Sequence, residues 1–239
     1  VVGIGPGDRE FMCESARQCI AESDAVVGYK KYIELVSDLL GEHQQVISSG
    51  MTREVERCER VIELAGEGLT VSLVSSGDPG VYGMAGILFQ LLSKAQAGIP
   101  VEVVPGITAA NAAAAVLGAP LMHDFACISL SDLLTPWPTI LKRVELAARG
   151  DFVIVLYNPK SNKRVKHIEE VRELLLEILP ANTPVGIVRN AKRHGEKAVI
   201  SNLAEFTRCE IDMFTTVIVG NSQSYVENGR LITPRGYRL

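Results

Sequence analysis

Three strings in the first half of the chain combine glycine, proline and polar residues in a way that suits ligand binding. Gly3-Ile4-Gly5-Pro6-Gly7-Asp8 follows a first apolar run. Ser75-Ser76-Gly77-Asp78-Pro79-Gly80-Val81-Tyr82-Gly83-Met84 follows a second, and Val104-Pro105-Gly106-Ile107-Thr108-Ala109-Ala110-Asn111 closes a third. Glycine carries no Cβ, so the backbone can approach a ligand closely there. Open α/β sheets bind ligands beyond the carboxyl ends of their strands. Three such loops at one edge of one sheet describe a pocket better than any single loop does. The first string does not suit a dinucleotide: Asp8 stands where the fingerprint needs its third glycine, and its charge would repel a pyrophosphate. Pro6 also lacks an N–H to offer. Asp8 keeps two readings, the N-cap of a following helix or an acid exposed to the ligand. Asp78 suits an amine, a ribose hydroxyl or a methionine-like head group, although a plain turn also explains the glycine and proline around it.

Composition narrows the classes. The chain has 239 residues, 47% hydrophobic and 22% charged, with a net charge of -4. That is an ordinary globular balance, and the charge argues against a nucleic-acid partner. The five cysteines (Cys13, Cys19, Cys58, Cys127 and Cys209) are scattered and form no CxxC pair, which suits a reduced, cytoplasmic setting. No metal-ligand spacing occurs, so any metal would arrive with a ligand. His167 and Glu170 read as a solvated surface pair on a helix. The most apolar stretch, 109–122, is interrupted by Asn111, Gly118 and Pro120 and does not read as a membrane span.

The elements that must position these residues alternate. Strands are expected over 1–4, 25–27, 46–48, 70–74 and 101–104, and helices over 10–22, 30–40, 52–65, 84–97 and 108–117. Such alternation predicts a mainly parallel sheet covered by helices. Gly118-Ala119-Pro120 breaks the last helix, which places a boundary between domains 1–118 and 119–239. Beyond it, strands are expected over 152–157, 185–188, 198–201, 216–219 and 231–233. A helix starting near Val165 should end before Pro180. The second half then reads as another α/β domain with a mixed sheet.

At this point the sequence resembles the tetrapyrrole (corrin and porphyrin) methylases. The strings Gly-x-Gly-Pro-Gly-Asp, Ser-Gly-Asp-Pro and Pro-Gly-Ile-Thr-Ala carry the likeness, which covers essentially the whole chain. Further strings narrow it. Pro120-Leu121-Met122-His123-Asp124-Phe125, Ser129-Leu130-Ser131-Asp132-Leu133-Leu134-Thr135-Pro136-Trp137 and Tyr157-Asn158-Pro159-Lys160-Ser161-Asn162-Lys163-Arg164 are similar to those of members that methylate C17 of precorrin-3B and contract the ring. So is the tail from Ile232 to Tyr237.

The resemblance implies a two-domain α/β fold with S-adenosylmethionine held in the cleft between the domains. The matching donor positions are Gly77, Asp78, Tyr82, Gly83, Met84, Thr108 and Ala109, then Ser131, Tyr157, Asn158, Asn190, Ala191 and Thr216. Several relatives carry Met in place of Asn158 and Pro-Ala in place of Thr215-Thr216, departures that backbone contacts would tolerate. The implied chemistry is in-line methyl transfer to an enamine-like carbon, which placement can accelerate. Contraction of the ring follows, with loss of a hydroxyl proton and lactone closure, and an acid/base group would help there. Asp8, His123, Ser131 and Asp132 are the candidates, with capping or plain polar roles as their alternatives. Lys160 and Arg164, just past a strand end, are the expected contacts for the substrate's carboxylates. Cobalt would enter only within the substrate. The family resemblance also implies a homodimer, while charge and hydropathy point to no nucleic-acid or membrane partner. The runner-up readings are a methylase of another corrin position, such as C11 of precorrin-4, and, from other classes, a dinucleotide-dependent oxidoreductase or a non-catalytic ligand-binding protein.

Overall fold

The structure, a computed structural model, describes residues 1–50 and 52–238. By internal contacts the chain divides into Val1–Thr108 and Ala109–Leu239. The division falls ahead of the alanine-rich helix, ten residues before the expected boundary at 118.

The first unit contains β1 (Val2–Gly3), α1 (Glu14–Glu22), β2 (Ala25–Tyr29), α2 (Lys30–Leu35), β3 (Gln45–Ser49), α3 (Glu54–Gly66), β4 (Val71–Ser75) and α4 (Ala85–Ala95). Its sheet runs β1-β4-β2-β3, and every pairing is parallel. Helices cover both faces, so the inner strands are apolar on both sides rather than alternating. Ala25, Val27 and Leu73 pack with Cys58, Val61, Leu64, Leu88 and Leu92 of α3 and α4. Val26 and Val74 face the other way, onto Ala16, Ile20 and Ile33 of α1 and α2.

Three expectations for this unit need correction. The helix expected over 10–22 starts only at Glu14, because Met12 and Cys13 are extended and Met12 is turned into the core. A short 3-10 turn, Arg9–Phe11, precedes it. The helix expected over 30–40 ends at Leu35, where Val36 leaves helical geometry and is buried, and a 3-10 turn over Ser37–Leu39 follows. The strand expected over 101–104 is reduced to a single parallel bridge, Val2 to Val104.

The second unit contains α5 (Ala109–Leu117), β5 (Gly118–Ala119), β6 (Phe125–Ser129), α6 (Trp137–Arg149), β7 (Val153–Tyr157), α7 (His167–Leu176), β8 (Pro184–Arg189), β9 (Lys197–Asn202), β10 (Thr215–Val219), β11 (Tyr225–Glu227) and β12 (Arg230–Ile232). The main sheet runs β6-β7-β10-β8-β9. It is mixed as expected, with β6 parallel to β7 and the other pairings antiparallel. On one face α6 and α7 bury Ile140, Val144, Ile168, Val171 and Leu175 against Ile128, Ile154, Leu156, Ile187 and Val217. On the other lies α5, whose Ala110, Ala113 and Ala114 let it sit close to Val155, Val188 and Ile218. A Cβ on Gly186 of β8 would run into the Leu117 side chain. This close packing is why the alanine helix belongs to the second unit. Asn228 and Gly229, both at positive φ (49° and 73°), close the β11-β12 hairpin, as a tight two-residue turn requires. The strands β5, β6 and β11 were not expected.

Candidate functional site

In the first unit the three glycine strings meet as a welded cluster. Gly5 and Gly77 exchange backbone hydrogen bonds of 3.1 and 2.7 Å, Gly3 N–H donates to the Val104 carbonyl at 2.9 Å, and Ile4 N–H donates to the Ser75 carbonyl at 2.9 Å. Asp78 ties the second string to the third. It accepts from its own loop at Gly80 N–H (2.8 Å) and from Gly106 N–H (3.1 Å). The glycines serve this packing. A Cβ on Gly106 would run into the Gly77 carbonyl and lie 2.9 Å from the Gly3 carbonyl carbon, and one on Gly83 would lie 2.6 Å from the Pro79 carbonyl oxygen. The space beside Gly83 is thus filled by protein, where the sequence suggested room for a ligand. Ala85 N–H closes the same loop onto Pro79 at 3.0 Å. Between them Tyr82 adopts φ 53° and is more than half exposed. A bulky residue held at positive φ is a strained arrangement of the kind found at ligand sites. Met84 is buried, and Thr108 is half-buried at the end of this unit. Asp8 is exposed and its side chain makes no capping bond to the turn it precedes, so the N-cap reading fails and the acid is left facing outward.

In the second unit the candidates gather at one edge of the main sheet. Ser131 and Asp132 follow β6, Asn158 follows β7, Asn190 and Ala191 follow β8, and Thr216 lies at the start of the antiparallel β10. Side chains fix this edge. The Ser129 hydroxyl, which the sequence did not flag, accepts from Asn158 Nδ2 (3.0 Å) and from Ser131 N–H (3.2 Å). A hydroxyl two residues ahead of a turning backbone is its only signal in the sequence. The Tyr157 hydroxyl accepts from Ala110 N–H (2.8 Å) and so serves the start of α5. Asn158 and Asn190 are held at φ 50° and 51°. Arg164 donates to the Asn158 carbonyl (3.0 Å) and to Ser131 Oγ (3.4 Å) and lies 3.8 Å from Asp132. With its side chain only 11% exposed, it braces the loop. Lys160 is half-buried in the turn ahead of it.

Asp132 has a partner the sequence concealed. His167 Nε2 lies 3.0 Å from Asp132 Oδ2, and the same imidazole stacks on Trp137 with centroids 4.0 Å apart. The His167 hydrogen bond holds the Asp132 carboxyl below the usual carboxylate range. Trp137 Nε1 donates to Glu170 Oε2 at 2.8 Å. His167 is therefore drawn in from the surface, while Glu170 stays exposed as expected. His123 stands apart from all of these. It precedes β6 while Ser131 follows it, which puts a strand of about 17 Å between them. Its Nδ1 accepts from Asp124 N–H at 2.8 Å. Among the described residues no group of three or more His, Cys, Asp or Glu could hold a metal ion, and no helix is long and apolar enough to cross a membrane.

A parallel-sheet unit with a glycine cluster over its carboxyl edge, followed by a mixed-sheet unit with a polar loop edge, defines a class of α/β ligand-binding enzymes. The family model of Tetrapyrrole (Corrin/Porphyrin) Methylases matches residues 1–207, and the chain belongs to that family. It is 49% identical to the probable cobalt-factor III C(17)-methyltransferase of Salmonella typhimurium, covering all of this chain and 99% of that protein. It is also 49% identical to the cobalt-factor III methyltransferase of Priestia megaterium, of which it spans 45%. The crystal structure of the methyltransferase CobJ superposes with a TM-score of 0.91 at 35% identity, over 98% of each chain. The uroporphyrin-III C-methyl transferase of Thermus thermophilus, complexed with S-adenyl homocysteine, gives a TM-score of 0.72 at 26% identity, over 92% of this chain and 95% of that one.

Proposed function

We propose that the chain is an S-adenosylmethionine-dependent methyltransferase that methylates C17 of precorrin-3B or its cobalt counterpart and contracts the ring, in cobalamin biosynthesis. The observation that carries this reading is end-to-end similarity, at 49% identity, to a relative named as a probable cobalt-factor III C(17)-methyltransferase.

The chain's donor set fits the methyl donor. Asp78 holds two backbone N–H groups and keeps acceptor capacity on both oxygens. Tyr82, Asn158 and Asn190 interrupt regular backbone where loop groups must meet a small polar molecule. Gly77, Asp78, Tyr82, Gly83, Met84, Thr108 and Ala109, with Ser131, Tyr157, Asn158, Asn190, Ala191 and Thr216, are assigned to it. When bound, the donor supplies an electrophilic methyl group on a sulfonium. The residues' task is to fix its direction and exclude water, which is placement rather than acid or base chemistry.

Ring contraction asks for proton movement. Asp8, exposed and uncapped, and the Ser131 hydroxyl, which receives the Arg164 guanidinium, are assigned to it. Asp132, bonded to His167 at 3.0 Å, orients its loop. His123 takes no part. Lys160 meets a substrate carboxylate. The homodimer follows from the family resemblance, and the five scattered cysteines suit the cytoplasm. The net charge of -4 disfavours nucleic acid.

The test is anaerobic incubation with S-adenosylmethionine and either cobalt-factor III or precorrin-3B, followed by mass and NMR analysis of the product. A methyl at C17 of a contracted ring is expected, and a methyl at C11 would transfer the protein to the runner-up reading. Light scattering at micromolar concentration checks the dimer.

A further inference from the structure

Residues 131–137 form a loop whose most apolar residues point at nothing in the second unit. Among the described residues Leu133 and Leu134, 76% and 96% exposed, are the most exposed large hydrophobic side chains, with Tyr237 next. Yet the loop is pinned at both ends to one element. At its start Asp132 is bonded to His167 at 3.0 Å and lies 3.8 Å from Arg164. At its end Trp137 stacks on the same His167 and donates to Glu170 at 2.8 Å. His167 thus touches both ends and Glu170 is one helical turn further on. Ordering two leucines in water costs conformational entropy with no burial inside the unit to offset it, so the tip suits an apolar occupant.

The neighbouring turn supplies the occupant's chemistry. Ser161 and Arg164 close it through mutual backbone bonds of 3.1 and 3.2 Å, and Arg164 reaches across to Ser131. The turn carries Lys160 and exposed Lys163, and Arg164 ties it to the start of the loop. An apolar pair on one segment and two ammonium groups on the segment bonded to it match a flat macrocycle edged with carboxylates. We propose that this loop reads the tetrapyrrole: Leu133 and Leu134 cover the macrocycle face, Lys160 and Lys163 meet its carboxylates, and His167 is the positioning residue that holds the loop through Asp132 and Trp137. The assignment rests on the methyltransferase reading above and deepens it.

Two sets of variants test it in the full chain, with steady-state turnover of the tetrapyrrole and calorimetric titration of S-adenosylhomocysteine measured separately. The Leu133→Ser/Leu134→Ser double variant removes only exposed side chains, so it folds normally. Its KM for the tetrapyrrole should rise by about 10-fold or more, while S-adenosylhomocysteine affinity stays within about twofold and the oligomeric state is unchanged. His167→Ala should raise KM in the same direction with kcat less affected. His167→Gln should restore much of it, because its amide can still donate to Asp132. An unchanged KM in the double variant overturns the proposal. So does an equal loss of S-adenosylhomocysteine affinity, or a change of oligomeric state that accounts for the effect, since the tip would then face a second copy. If the unmodified protein methylates no tetrapyrrole at all, it is the methyltransferase reading that fails.

Discussion

The two units hold their loops by different means. In the first, the glycine strings are joined by backbone hydrogen bonds, Gly5 with Gly77 and Gly3 with Val104, with almost no room for a side chain between them. In the second, the loops after β6 and β7 are joined through Ser129, Asn158, Arg164 and His167. Backbone welding fixes one geometry and tolerates little substitution. Side-chain bracing can be altered residue by residue without losing the sheet beneath. The first design suits groups that must hold a single geometry, and the second suits an edge that can be retuned one residue at a time.

The contrast can be broken most severely at Gly106. Gly106→Ala puts a Cβ into the Gly77 carbonyl, and backbone cannot move aside as a flexible side chain can. A loss of about 3 kcal/mol in urea unfolding is expected; a loss near zero would mean the cluster is not welded. Next comes Arg164→Met, which keeps the stem but abandons the Asn158 carbonyl and Ser131 Oγ. About 2 kcal/mol should be lost, and S-adenosylhomocysteine affinity should fall together with tetrapyrrole turnover, because Asn158 and Ser131 are assigned to the donor. An unchanged affinity would remove both from that set.

Asp8→Asn sharpens the first unit's role. Asp8 lies beside the welded cluster but belongs to none of its bonds. Binding of S-adenosylhomocysteine should survive while turnover drops by about 10-fold, with a methylated, uncontracted product looked for by mass spectrometry. Normal turnover would leave the proton work to Ser131.

A smaller effect depends on pH. Burial pushes the Asp212 carboxyl up, but the Arg189 guanidinium at 2.7 Å, Phe214 N–H and the Thr215 hydroxyl together hold it below its ordinary value. A carboxyl depressed in the folded state adds stability above its unfolded pKa of about 4 and loses it as pH falls through the folded value. Asp212→Asn should therefore lower the urea midpoint at pH 7 and have less effect near pH 3. A constant difference would discount the ion pair. The smallest expected effect is at His123. Its edge of the sheet is opposite to that of Ser131, so His123→Ala should leave kcat and KM within about twofold.

Much of this was legible in the sequence because its signals are local. Apolar runs such as 25–27 and 71–74 and the helical stripe Cys58, Val61, Ile62, Ala65 specify their elements wherever they sit. Glycine and proline after each run mark where the chain must turn. The parallel sheet of the first unit, the mixed sheet of the second and the candidate loops follow from these signals and the family strings. Less local features escaped. β6 has only five residues and a polar surround, so its strand character depends on β7 beside it. The helix break at Val36 and the extended stretch at Met12 exist because burying those side chains outweighs continuing a helix.

What only the tertiary structure decided is which side chains find one another. No spacing places Asp132 on His167, 35 residues away, or Asn158 on Ser129, 29 residues away. Nor does any local rule say that Arg164 braces a loop, or that α5 packs with the strands that follow it. Sequence fixes the period of each element through short-range sterics and hydrogen bonding. Long-range partners are chosen by burial and by the need of each buried polar group for a mate, and those conditions exist only once the sheets have formed.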